Sequence, residues 1–82
     1  LRTTLAAAHH MLLAHADGMD ALRAALPATA KAGIALNLAP VEPLGDANAD
    51  AEAAERFDGV LNRWFLDALY KGRYPDDLLA SS

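Results

Sequence analysis

One stretch sets the terms for everything else in this chain. Ala32 to Ala39 reads Ala-Gly-Ile-Ala-Leu-Asn-Leu-Ala, a short and nearly continuous apolar run that follows a break from Pro27 to Lys31. Such a run suits a strand buried on both faces, as in a parallel sheet covered by helices. It is the one strand the sequence supports, because the β-branched apolar residues are only Ile34, Val41 and Val60 against a background of alanine and leucine. A single buried strand has no neighbour to bond with, and each unpaired backbone group costs about 1–3 kcal/mol. Either other sequence supplies the rest of the sheet, or the strand pairs with a second copy of itself.

The flanking segments read as helices. Leu5, Leu12, Met19 and Leu26 recur every seven residues, with His9, Ala16 and Leu22 beside them, which gives one apolar face ending at Pro27. A coiled-coil seam would be poor, since its interleaved positions hold His9, Ala16 and Arg23. Downstream, Phe57, Val60, Leu61, Trp64, Phe65, Ala68 and Leu69 fit the helical template without a miss. Asn48 or Asp50 is placed to cap the start of that helix, and Lys71-Gly72 supplies a cation and a terminating glycine. Between strand and helix, Pro40 and Pro43 make an irregular loop through Gly45 to Asn48. After Tyr74-Pro75, the run Asp76 to Leu79 reads as the first turn of a further helix. Helix, buried strand, helix and the start of another helix is the grammar of an α/β protein with parallel strands.

Size and charge remove several function classes. With 82 residues and 8.7 kDa there is room for one small domain at most. No cysteine is present, so a disulfide framework and any thiol or Cys-ligated metal chemistry are excluded. Seven Lys plus Arg against eleven Asp plus Glu give a net charge of −4 with no basic cluster, a poor match to nucleic acid or anionic membrane. No apolar run approaches the ~20 residues of a membrane span. The start, Leu1-Arg2-Thr3, has neither an initiator Met nor a signal-peptide pattern, so the chain reads as a piece of something longer or a processed product, and the cytoplasm is the expected location.

The side chains that invite a chemical reading are few. His9, His10 and His15 are spaced by one, five and six residues and fan around a helix, whereas metal ligands on one face need spacings of three or four. No metal and no cofactor is expected. Asp46, Asp50, Glu52, Glu55 and Asp58 cluster about the start of the second helix and read as a solvated face that complements its dipole. Only Glu42 lies near a strand end, so no acid–base pair is evident. Asn37 is the one polar side chain inside the apolar run, near the strand end where barrels and doubly wound sheets place their ligands. It either bonds the adjoining loop or meets a polar ligand. Trp64 and Phe65 fall in the helix's apolar stripe and read as core, while Arg63, Arg73 and Tyr74 could anchor helix to loop.

Three blocks carry a further signal: His9-His10-Met11-Leu12-Leu13-Ala14-His15, then Gly33 to Pro43, then Asn62-Arg63-Trp64-Phe65-Leu66-Asp67-Ala68-Leu69-Tyr70-Lys71-Gly72-Arg73-Tyr74-Pro75. Their order and spacing resemble the middle of glycoside hydrolase family 1, the β-glucosidases, over essentially the whole chain. Asn62 to Pro75 is the most specific part. The resemblance implies an α/β fold in which residues 1–82 are an internal segment of one (β/α)8 TIM barrel: the helix after the fourth strand, the fifth strand at Gly33 to Ala39, the helix that follows, and the start of the next. Two departures are Ala68, where the family usually has Pro after the Asp, and Ala16-Asp17, where Gly commonly follows the His. Losing the proline relaxes the backbone there without touching chemistry.

Members of that family are retaining glycosidases. One Glu in a Thr-Phe-Asn-Glu-Pro type motif is the acid/base, and another in a Thr-Glu-Asn-Gly type motif is the nucleophile, with the two carboxyl groups about 5–5.5 Å apart. Neither motif occurs in this chain. The resemblance implies that they lie before Leu1 and after Ser82, that the segment contains no catalytic residue, and that it does not catalyse alone. What carries over is the end of the fifth strand: Asn37, Leu38, Ala39 and Val41 match positions on the aglycone side of the pocket. The implied substrates are β-glucosides or short oligosaccharides, and the implied partner is the remainder of the barrel, or a second copy joined through strand edges. The competing reading is a non-catalytic helical interaction or assembly module, which requires a start before Leu1 and a stop soon after Ser82.

Overall fold

The computed structural model describes residues 1–81; Ser82, counted above in the barrel segment, lies outside them. The chain divides into two units, Leu1–Leu36 and the part from Asn37 onward.

The first unit is built on α1, Arg2–Ala25. Its sequence is rich in Ala and Leu, which hold a helix at little entropic cost. The helix stops where expected. Leu26 turns to an extended conformation at φ −102° and ψ 156°, because the ring of Pro27 clashes with a helical residue before it. Of the expected apolar stripe, Leu5 is buried, Leu12 and Met19 are half-buried with His9 and His15, and Leu22 and Leu26 are exposed.

The expected strand is not formed. Residues 30–43 carry no regular secondary structure, and there is no strand among the described residues. Here the physical objection raised by the sequence decides the outcome: a strand is a set of hydrogen bonds to a neighbour, and this chain contains only one segment of strand composition. Ile34 and Leu38 are accordingly 46% and 45% exposed.

In the second unit the irregular segment leads into a run of helices. It contains α2 (Asn48–Asp58), a π-helical turn (Gly59–Arg63), α3 (Trp64–Lys71) and α4 (Asp76–Ser81). Neither Asn48 nor Asp50 caps α2. The cap is Ala47, whose carbonyl accepts from the amides of Asp50 and Ala51 at 3.0 and 3.2 Å, while Asp50 sits in the first turn, where its charge complements the dipole. At the far end Gly72 adopts φ 69°, the left-handed conformation that a glycine takes without steric cost, and its amide bonds back to the Asp67 carbonyl. Lys71 and Asp67 pair at 3.4 Å one turn apart.

The π turn is the feature that the helical template does not contain. The amide of Trp64 bonds to the carbonyl of Gly59, five residues back. An extra residue in a helix rotates everything before it by about 100° relative to everything after it. Phe57 is therefore 61% exposed, Val60 and Leu61 are half-buried, and Trp64 is 3% exposed, although all four lie on one face of an ideal helix. Gly59 lets α4 close onto this turn. A Cβ there would stand 3.0 and 3.1 Å from the two methyls of Leu78, which is fully buried. Trp64 stacks on Tyr74 with ring centroids 3.7 Å apart and planes 11° from parallel, and Pro75 is buried beside the start of α4.

Candidate functional site

The polar centre of the second unit is Asn62, a side chain that an apolar stripe would not be expected to hold and that is only 7% exposed. Its amide nitrogen donates to the Ala39 carbonyl at 2.6 Å, and its oxygen accepts from the Ala39 amide at 3.1 Å. The side chain thereby plays the part of a neighbouring strand for one residue, satisfying both backbone groups of Ala39. The second hydrogen of the nitrogen goes to Asp58 Oδ1 at 2.8 Å. Because a carboxylate faces the nitrogen, the flipped amide would place oxygen against oxygen, so the direction of the fork is fixed.

Asp58 is itself held. Its other oxygen accepts from Arg63 Nε at 3.0 Å, and the π turn makes this contact possible by stacking residue i+5 over residue i. Arg63 goes on to bind Asp77 with both terminal nitrogens, at 2.9 and 2.8 Å, and to donate to the Glu55 carbonyl at 3.0 Å. The paired fork holds the Asp77 carboxyl below the usual carboxylate range, and the same contacts push the Arg63 guanidinium up. One arginine thus ties α2, the π turn and α4 together. The Tyr74 phenol is pushed up by burial against Trp64. The indole nitrogen of Trp64 is buried and has no hydrogen-bond partner among the described residues.

Of the candidate residues Asn37, Leu38, Ala39 and Val41, the first three are exposed and Val41 is half-buried. All four lie in the irregular segment, and the structure fastens that segment at Ala39. Asn37 has no hydrogen bond to the adjoining loop. Glu42 is exposed on the same segment with no second carboxylate paired to it. The histidines fan out as their spacing requires: His10 contacts the Ala6 carbonyl through Nδ1 at 2.8 Å, and His9 meets it edge-on with centroids 5.5 Å apart. Among the described residues no group of three or more His, Asp or Glu is gathered closely enough to hold a metal ion. An open cleft of about 560 Å³ at the end of α1, between Met19 and Ala32, is lined by none of the candidate residues. Trp64 is core as expected, and Phe65 is half-buried. Of the three expected helix-to-loop anchors, Tyr74 stacks on Trp64, Arg63 instead joins helix to helix, and Arg73 is exposed. Asn62 was not singled out from the sequence, and Asp58, expected with Asp46, Asp50, Glu52 and Glu55 on a solvated face at the start of the second helix, instead ends α2, half-buried and bonded to Asn62 and Arg63.

A helical run bearing an asparagine fork to the segment before it, followed by a tyrosine stacked on its tryptophan, is thus built from the Asn62 to Pro75 block. The chain belongs to glycosyl hydrolase family 1, whose family model matches residues 1–81. That family implies a TIM barrel. Among curated relatives, the chain is 40% identical over 79 residues to beta-glucosidase A of Acetivibrio thermocellus, covering 96% of this chain and 17% of the relative. It is 42% identical over 80 residues to beta-glucosidase A of Enterobacter agglomerans, covering 96% and 16%. A bifunctional beta-D-glucosidase/beta-D-fucosidase of Bifidobacterium breve is 43% identical over 74 residues, covering 90% and 15%. The chain spans 17% or less of the length of these relatives. No solved structure matches it. No helix among the described residues is long and apolar enough to cross a membrane.

Proposed function

We propose that the complete polypeptide to which this chain belongs is a retaining β-glucosidase that hydrolyses the O-glycosidic bonds of β-glucosides, and that residues 1–82 form one segment of its single (β/α)8 barrel domain. The family match across residues 1–81, joined to relatives named as beta-glucosidases, is the observation that carries this reading. In this assignment α1 follows the fourth strand, Gly33 to Ala39 becomes the fifth strand once neighbours supply its ladder, and the run from α2 to α3 is the next helix. Both catalytic carboxylates come from outside the chain, so the segment contributes scaffold and, through Asn37, Leu38, Ala39 and Val41, part of the aglycone entrance. Its partner is the remainder of the barrel.

In a retaining mechanism a carboxylate displaces the aglycone to give a glycosyl-enzyme, and water then releases the sugar with its original anomeric configuration. Proton NMR of an aryl β-glucoside digested by the complete polypeptide tests this. The first-formed glucose should be the β anomer. First-formed α anomer, or no hydrolysis, would sink the proposal.

A further inference from the structure

Residues 31–46 hold only two hydrogen bonds among the described residues, and both join the Ala39 backbone to the side chain of Asn62. Asn62 is buried, its amide direction is set by Asp58, and Asp58 is in turn gripped by Arg63 across the π turn. The line of contacts therefore runs from the helical core to the middle of the segment holding Asn37, Leu38 and Val41. We infer that Asn62 is a positioning residue for aglycone selection: by fixing the Ala39 backbone from behind, it sets where Asn37, Leu38 and Val41 stand at the entrance, without touching substrate itself. This inference rests on the β-glucosidase reading above.

Ala39 is the last residue of the proposed strand, Pro40 has no amide to donate and Val41 makes no hydrogen bond among the described residues, so the fork fixes the point from which the loop departs. Both backbone groups of Ala39 are taken by Asn62, so a ladder built on residues 33–38 leaves this anchor in place. Loss of the fork should move the aglycone wall, while the glucosyl site, built elsewhere, stays as it was.

The test uses the complete enzyme and a set of β-glucosides that share glucose and differ in the leaving group: 4-nitrophenyl β-glucoside, hexyl β-glucoside and cellobiose. Asn62→Ala should change the ratios of kcat/KM among them by about fivefold or more, the size that one net hydrogen bond carries. The change should fall mainly on KM, with kcat for the aryl substrate held within about twofold where hydrolysis of the common glycosyl-enzyme limits turnover. Asn62→Gln, which keeps the amide but lengthens its arm, should also shift the ratios, and it serves if the alanine variant does not fold. Leu78→Ala is the stability control: it removes a buried side chain that makes no bond to Ala39, and it should leave the ratios unchanged. Ratios unchanged in a folded Asn62 variant would overturn the inference while leaving the enzyme assignment intact. A wild-type protein that hydrolyses none of the three would bring down both.

Discussion

At the scale of single residues, Arg63 shows how much one side chain can organise and how little free energy that need involve. It reaches Asp58, Asp77 and the Glu55 carbonyl, yet its side chain is 29% exposed and those of Asp58 and Asp77 are 35% and 43% exposed, so solvent screens the charges. Arg63→Ala should destabilise the folded state by about 1 kcal/mol in urea unfolding, and Arg63→Lys should recover little, since an ammonium cannot make the paired contact. The pH dependence has a definite sign. Asp77 has its folded-state value depressed by Arg63, so the stability it brings is fully present above the unfolded value near ~4 and is lost as pH falls through the lower folded value. Wild type should lose this increment below about pH 4, and Arg63→Ala should show a flatter acid limb. Equal acid limbs in the two proteins would contradict the role given to the fork.

At the scale of elements, the π turn is the structure's main departure from what the periodicity says. Phe57, Val60, Leu61, Trp64 and Leu69 form an unbroken template in sequence, and nothing in that pattern marks an inserted residue. The cause is tertiary: Gly59 gives Leu78 its place, and Asp58 and Arg63 gain registry across the widened turn. Gly59→Ala should therefore cost about 1–3 kcal/mol, because the new methyl meets Arg63 Nη2 at 2.7 Å and the Leu78 methyls at 3.0 and 3.1 Å. Gly18→Ala, in the middle of α1 with nothing within 4 Å, should instead stabilise the chain by about 0.5–1 kcal/mol. Thermal or urea unfolding of the two variants checks both signs, and a stabilising Gly59→Ala would contradict the packing described here. Helix ends were more legible than helix interiors. Pro27 and Gly72 act through their own covalent geometry and could be read directly, whereas capping by Ala47 in place of Asn48 or Asp50 depends on how the preceding loop arrives.

At the scale of the whole molecule, family membership was legible from three blocks of sequence, while the strand read at Ala32 to Ala39 is not formed among the described residues. A strand's existence depends on its neighbours, and the matched part is 17% or less of the relatives' length. Asn37 was named from its place in the apolar run and Leu38, Ala39 and Val41 from the family resemblance, whereas the Asn62 fork to the Ala39 backbone joins residues 23 apart and leaves no mark in the local pattern. Among the described residues Leu5 is buried in the first unit and Trp64 and Leu78 in the second, while Ile34 and Leu38 are 46% and 45% exposed, so the 82-residue chain alone should associate through the segment around Ile34 and Leu38. Sedimentation at increasing concentration checks this, and Ile34→Lys should reduce the association.

Under the proposed function this chain belongs to an enzyme whose catalytic carboxylates lie outside residues 1–82. Turnover of 4-nitrophenyl β-glucoside, measured side by side for the complete polypeptide and for the 82-residue chain alone, tests it most directly. The complete polypeptide should release nitrophenol with saturation kinetics, and the chain alone should release none above the uncatalysed rate. Activity in the isolated chain, or its absence from the complete polypeptide, would contradict the account.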